Sequence, residues 1–378
     1  MTVSVAAPRL QILVNGTPIP ALSAEVNTNN YYHADSFRAE IVVVDSAVKQ
    51  SGFGAAFWCA DGTGGSAAPV MITVQVDPGT ALGGANWTTL ITGRVDNVEY
   101  DPFNGTVSID GRDRTADFIE ARTFETFKNQ TSSQIAKVLA ARHGLTAQVT
   151  NTTTLADRYY TQDHDKITLN DFTRVTNEWD LLTFLAQQEN FDVFVFGNTL
   201  YFQPSTAPGQ NPIAFNFDAA SQPYLISNGV SPKLKRALTL ARDITVTVQS
   251  WSSKQQSAFK VTAKATGTRA QSGAASTKAG ATTTQNYVLT RPNLTHDQAQ
   301  TLANQTLGQL SAHERVVSIE MPGDVTMQPR QGLRISGTGT NFDMDYYISD
   351  ITRMISAEGF TQTVSAKNSS PKNQTTVG

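Results

Sequence analysis

Four groups of residues in this 378-residue chain have types and spacings that can do chemistry. The densest is Gly111-Arg112-Asp113-Arg114-Thr115-Ala116-Asp117, whose alternating charges would suit phosphate binding or acid–base work. It lacks the glycine pattern that turns backbone N–H groups toward a phosphate. A strand end, a turn and a helix start, with local ion pairs, is the favoured reading. Asp113 or Thr115 would then cap the turn that runs from Ala116 to Ala121. The second group is Asp163-His164-Asp165. Alternation along a strand puts the two carboxylates on one side and the imidazole on the other, a poor arrangement for a shared metal. His33, His143, His296 and His313 show no metal-ligand spacing either.

The third candidate is Cys59, the single cysteine. Its neighbours Phe57, Trp58 and Ala60 are apolar, so a buried, inert thiol is expected. One cysteine makes no internal disulfide, which suits folding in a reducing compartment. The fourth is a basic stretch. From Ile244 to His296 there is no Asp or Glu, whereas Lys254, Lys260, Lys264, Arg269, Lys278 and Arg291 are present. The bland reading is a solvated loop. The functional reading is docking onto an acidic neighbour, with Lys254, Lys260, Lys264 and Arg269 as the contact residues and nucleic acid as a second choice. No Gly-x-Ser-x-Gly elbow occurs, and among 32 acidic residues some pair always falls at glycosidase spacing, so neither argues for catalysis. No enzyme activity, cofactor or metal is expected.

The elements that must position these groups are mostly strands. Leu10, Ile12 and Val14 lead into Asn15-Gly16, a hairpin signal because both residues tolerate positive φ. Phe37 to Val44 and Met71 to Val76 are further strands. Leu90 to Tyr100 and Thr106 to Asp110 make a long hairpin around Pro102 to Gly105. The middle of the chain turns helical. Thr131-Ser132-Ser133-Gln134 is a capping box, and Gly144 stops the helix it starts. A second helix, from Asn177 to Gln188, buries Trp179, Leu182, Leu185 and Ala186, and a hairpin at Gly197-Asn198 follows. The last third returns to strands. Thr295-His296-Asp297-Gln298 is another capping box, opening a helix striped by Ala299, Leu302, Thr306 and Leu310. One echo links the ends: Val95-Asp96-Asn97-Val98 and Ile348-Ser349-Asp350-Ile351 each lead into a hairpin.

This pattern predicts a mainly β chain with an α+β middle: two antiparallel β-barrel domains, which the family resemblance below implies are of the tube type, plus a small α+β domain. The expected limits are 1–119 for the first barrel, 120–223 for the α+β domain and 224–368 for the second barrel, with a mobile loop at 266–284 and a flexible tail at 369–378. Charged residues are only 16%, net charge is −3, and no apolar run is long enough to span a bilayer. A general nucleic-acid binder and a membrane-inserted protein are therefore not expected, nor is secretion by a cleaved signal.

Several segments together resemble the late control D tail-hub proteins of contractile-tail phages and the hub half of bacterial type VI spike proteins. They are Gly93 to Val98 with Asp110 to Asp117, Gln134-Ile135-Ala136 through His143-Gly144-Leu145, Glu178 to Leu182 through Gly197-Asn198-Thr199-Leu200, and Asn293-Leu294-Thr295 with Gln298-Ala299. The Gly332 to Phe360 region, with Tyr347-Ile348, completes a match over roughly residues 9–366. The resemblance implies a homotrimer in which two barrels per chain make a ring of six. That ring would join the sixfold tail tube, or a distal tail protein, to a separate threefold central spike and to other baseplate proteins. Genomic DNA would pass without specific binding. It also implies a place in the virion tail after assembly in the host bacterial cytoplasm. The chain stops where the spike fusions continue, so a separate spike is expected. A cell-wall-degrading enzyme and a receptor- or glycan-binding tip protein are the alternatives.

Overall fold

Alternation of apolar and polar residues becomes strand wherever a second strand is near enough to pair with it. The computed structural model describes residues 8–61, 69–79, 86–122, 127, 129–153, 177–205, 211–217, 231–237, 244–252, 257–264, 285–291, 294–311 and 314–368. The first β module holds β1 (Arg9–Val14), β2 (Thr17–Pro20), β3 (Ser23–Asn29), β4 (Ser36–Val42), two short helices α1 (Ser46–Gln50) and α2 (Ala55–Trp58), then β5 (Met71–Asp77), β6 (Thr88–Asp101) and β7 (Thr106–Asp113). Asn15 and Gly16 both take positive φ, as the β1–β2 hairpin needs. Ile12, Val26, Ile41, Val74 and Ile109 meet in its core, each fully buried. Cys59 is not part of that core. Trp58 turns inward and donates its ring N–H to the Phe53 carbonyl at 2.9 Å, so the next residue, at the end of the one-turn helix, faces solvent. The expected buried thiol is therefore an exposed one.

The helix α3 (Thr115–Glu120) leads into the α+β part: α4 (Ser132–Arg142), β8 (Thr146–Val149), α5 (Glu178–Glu189), β9 (Phe191–Phe196) and β10 (Thr199–Pro204). Both bonds of the Thr131–Gln134 capping box are present, and Gly144 takes φ +66° just past the helix end. Trp179, Leu182, Leu185 and Ala186 are buried against the β8-β10-β9 sheet and α4.

The remaining elements are β11 (Ile213–Asn216), β12 (Ser231–Arg236), β13 (Ile244–Ser252), β14 (Ser257–Lys264), β15 (Gln285–Thr290), α6 (His296–Ser311), β16 (Arg315–Pro322), β17 (Gly332–Ser336), β18 (Asp345–Ser356) and β19 (Gly359–Asn368). The sheet β14-β13-β15 packs on α6 around its own core. The buried ridge of α6 is Ala299, Ala303 and Leu307. Leu302 and Leu310 only flank it, so the predicted stripe is rotated by about one residue. The small alanines let the helix approach the sheet closely.

A second β module, with its own core of Val317, Leu333, Ile348, Ile351 and Val364, is built from β12, β16, β19, β18, β17 and β11. The two β modules share one sheet because β18 pairs with β3, from Asp350 opposite Asn29 to Ile355 opposite Ala24. The sequence echo has a structural meaning. In the β6–β7 ladder the register shifts between Val95 and Asn97, leaving Asp96 as the extra residue; in the β18–β19 ladder it shifts between Ile348 and Asp350, leaving Ser349. The chain is mainly β with small α+β parts, as its pattern predicts.

Candidate functional site

The Gly111–Asp117 run builds a charged seam between the first β module and the α+β part. Gly111 is required there: a Cβ on it would stand 2.0 Å from the Arg94 carbonyl oxygen. Alternation sends Arg112 outward and Asp113 inward. Arg112 donates to Asp96 at 2.5 and 3.0 Å and to Glu120 at 2.7 Å. Arg94 also pairs with Glu120 and lies 3.4 Å from Asp117. Arg114 donates to Asp117 at 2.9 Å, to the His143 carbonyl at 2.7 Å and to Asn198. Three guanidiniums and three carboxylates thus alternate along the seam, and Arg94, Arg114, Asp117 and Glu120 of that set line a cleft of about 670 Å³. The Arg94 hydrogen bond, then that of Arg112, holds Glu120 below the usual carboxylate range. A general acid needs the opposite shift. The seam works as a clamp whose charges satisfy one another.

The clamp has a buried anchor. Glu178, 1% exposed at the start of α5, accepts from Arg142 and lies 2.6 Å from His143 Nε2. A carboxylate in a helix's first turn also suits the helix dipole. Trp179 donates its ring N–H to the Tyr32 carbonyl at 2.7 Å, tying the same helix to the first β module.

Two further carboxyls meet beneath the surface. Asp35 accepts from the Asn29 backbone N–H at 2.8 Å and from Asn29 Nδ2 at 3.1 Å. Asp113 accepts from the Thr115 N–H at 3.2 Å and hydroxyl at 2.8 Å, a local turn just before α3; the N-cap itself is Arg114, whose side chain makes no capping bond, so neither Asp113 nor Thr115 is the cap that the sequence suggests. Burial pushes Asp35 up to about 6. Burial, then the Asp35 charge, pushes Asp113 well above its ordinary value. Paired raised carboxyls are a mark of acid–base sites. The void they border, with Tyr32 and Arg330, is about 10 Å³, less than a substrate needs.

Of the basic stretch, Lys260 and Lys264 are exposed on the outer face of β14, with Thr262 between them. Trp251 on β13 is 52% exposed and Val288 on β15 is 56% exposed on that same outer face. Lys254, Arg269, the 266–284 loop and Asp163-His164-Asp165 lie outside the described residues. Among the described residues no group of three His, Cys, Asp or Glu could hold a metal ion, and no helix is long and apolar enough to cross a membrane.

The architecture has solved counterparts. A tail protein from Neisseria meningitidis matches 97% of this chain and 99% of its own, with a TM-score of 0.66 at 14% identity. A 43 kDa tail protein of prophage MuSo2 from Shewanella oneidensis matches 97% and 99%, with a TM-score of 0.62 at 13% identity. A prophage tail protein from Listeria monocytogenes matches 95% and 94%, with a TM-score of 0.53 at 10% identity. The chain has the fold of phage tail proteins. No family model and no curated protein matches its sequence. The tail-protein fold extends over nearly the whole chain, so the charged seam and both bulged hairpins lie inside it.

Proposed function

We propose that this chain is a non-catalytic structural hub of a phage-type tail or baseplate. Three copies form a ring of six β modules that joins the sixfold tail tube to a separate threefold central spike and lines the conduit for DNA. The observation that carries this reading is the repeated hairpin. Two β modules in one chain each carry one extra residue at the same place in the hairpin, Asp96 in one and Ser349 in the other, and β18–β3 pairing fuses them into one sheet. A duplicated module lets three chains present six similar walls, which reconciles the two symmetries. A net charge of −3 suits a wall that DNA must slide past, because bound counterions are not released there to hold it. Lys260 and Lys264, with Lys254 and Arg269 of the same stretch, are our candidates for docking an acidic neighbour in the tail.

The test is mass and shape in solution. Light scattering at the mass of three chains, with a hollow ring in negative-stain images, is expected. A chain that stays monomeric with its tail-tube and spike partners present would sink the hub reading. Clearing zones on bacterial walls in a zymogram would favour a cell-wall enzyme instead.

A further inference from the structure

The β6 strand has a bare half. As far as Val95 its outer edge is covered by β5 and by the Val70 carbonyl. Past the bulge, among the described residues, no strand pairs with that edge from Asn97 to Asp101. Val98 is 38% and Tyr100 37% exposed. The matching half of β18 is covered by β3. A bare edge is a template for another strand, and the internal repeat says which one.

Asn97 sits opposite Asp110 as Asp350 sits opposite Ser365, each being the first residue past the extra one. Beyond Asp110 comes Arg38 of β4, and beyond that Glu25 of β3. Beyond Ser365 comes Ser318 of β16, and beyond that Lys233 of β12. Lys233 therefore stands where Glu25 stands, and β12 is to the second module what β3 is to the first. The outer edge of β12 has no paired strand among the described residues.

We propose that the bare half of β6 pairs antiparallel with β12 of a second copy of this chain. Copying the β18–β3 register puts Glu99 opposite Lys235, Tyr100 opposite Leu234 and Asp101 opposite Lys233. This rests on the ring reading above and gives that ring its joint between chains. The chemistry of the two edges fits. One reads Asn-Val-Glu-Tyr-Asp and the other Lys-Leu-Lys-Arg-Ala. Opposite charges face each other directly, and an aromatic ring faces a leucine. Glu99 and Lys235 make no ion pair among the described residues. Asp101 already accepts from the Phe103 and Asn104 N–H groups, and Lys233 reaches Glu320 at 3.1 Å, so these two add charge to the joint while keeping local partners. Val98 and Tyr100 lie on the face that corresponds to Ile351 and Arg353, which β3 helps to bury. Pro102 and Pro232 would meet at the end of the ladder, where neither has an N–H to give. Each chain offers one β6 edge and one β12 edge, so contacts run head to tail, and they close into a ring when this joint repeats the rotation of the β18–β3 joint within the chain.

The test uses the full chain with Cys59→Ser. One batch carries Glu99→Cys and another Lys235→Cys, both at exposed positions. Mild oxidation of the mixture should give disulfide-linked dimer at about tenfold the yield of either batch alone, because the joint raises the local concentration. The chain carrying both substitutions should give covalent trimer. Trimers by mass without the 99–235 crosslink would overturn this joint and leave the ring reading standing. The crosslink without trimers would support the joint and sink the threefold ring. Monomers with no crosslink would overturn both. As an independent arm, Glu99→Lys with Asp101→Lys should dissociate the ring at low salt, and adding Lys233→Glu with Lys235→Glu should restore it. Failure of that rescue in a folded chain counts against the register.

Discussion

The hairpins β6–β7 and β18–β19 share a bulge and differ in company. Past its bulge, β18 lies between β19 and β3, and its Ile351, Arg353 and Ile355 are each no more than 1% exposed. Past its own bulge, β6 has β7 on one side only, and its residues from Asp96 to Tyr100 are exposed. The covered strand has Ser349, Thr352 and Met354 at the positions that match Asp96, Glu99 and Asp101, and its buried face carries one arginine whose Nη2 donates to the Met327 carbonyl; burial pulls that guanidinium down to about 10. The bare strand carries Asp96, Glu99 and Asp101. One architecture therefore takes two compositions, according to what lies beside the edge. Charge on the open edge keeps it from indiscriminate pairing and selects a basic partner.

The sharpest way to break this comparison is to remove equivalent side chains. Ile351→Ala deletes fully buried atoms from the second core, and about 3 kcal/mol of stability should be lost in a urea titration. Val98→Ala, at the matching position of the bare strand, should change the stability of the dissociated chain by less than about 0.5 kcal/mol. Equal losses would mean that Val98 is already covered in the single chain.

The joint strands are also where the sequence is hardest to read. The long hairpins and both capping boxes are local. Alternation, turn residues and a Thr three positions before a Gln are enough to place them. β3 reads Ser-Ala-Glu-Val-Asn-Thr-Asn and β12 reads Ser-Pro-Lys-Leu-Lys-Arg, with too few apolar or β-branched positions to stand out. Both are strands because distant partners pair with them, a tertiary effect that overrides propensity. The same divide runs through the charged seam. Asp113 beside Thr115 is a local turn and legible as one. The meeting of Asp113 with Asp35, and of Glu178 with His143, needs the fold, because those partners are far apart in the chain.

A second contrast concerns buried charge. Asp35 sits at the covered joint beside Asn29 of β3, and its carboxyl is raised to about 6. A raised carboxyl binds its proton more tightly in the folded chain than in the unfolded one. Its contribution to stability is full below about pH 4 and is lost as pH rises through about 6. Asp35→Asn keeps an acceptor for both Asn29 donors and removes the titration. The stability of the variant relative to the parent should therefore improve by about 1–3 kcal/mol between pH 4 and pH 7, read from urea titrations at each pH. A difference that does not change with pH would show that Asp35 ionises as freely as a surface carboxylate.

The smallest effect lies in the bulges themselves. Asp96 is held by Arg112 in two hydrogen bonds, of 2.5 and 3.0 Å, in a partly exposed setting. Ser349, its counterpart, is 2% exposed and has one hydroxyl proton with two acceptors in reach, the Asp350 carboxylate at 2.9 Å and the Ser365 carbonyl at 3.1 Å. Salt separates the two devices, because it screens a pair of opposite charges near the surface and acts far less on a buried hydrogen bond from an uncharged hydroxyl. Asp96→Ala should cost about 0.5–1 kcal/mol in dilute buffer, and most of that cost should vanish in about 1 M salt. The cost of Ser349→Ala should be the same in both. If Asp96→Ala proves insensitive to salt, the extra residue is fixed by the backbone ladder, and the charged clamp on the bare hairpin serves the seam with the α+β part instead of the bulge.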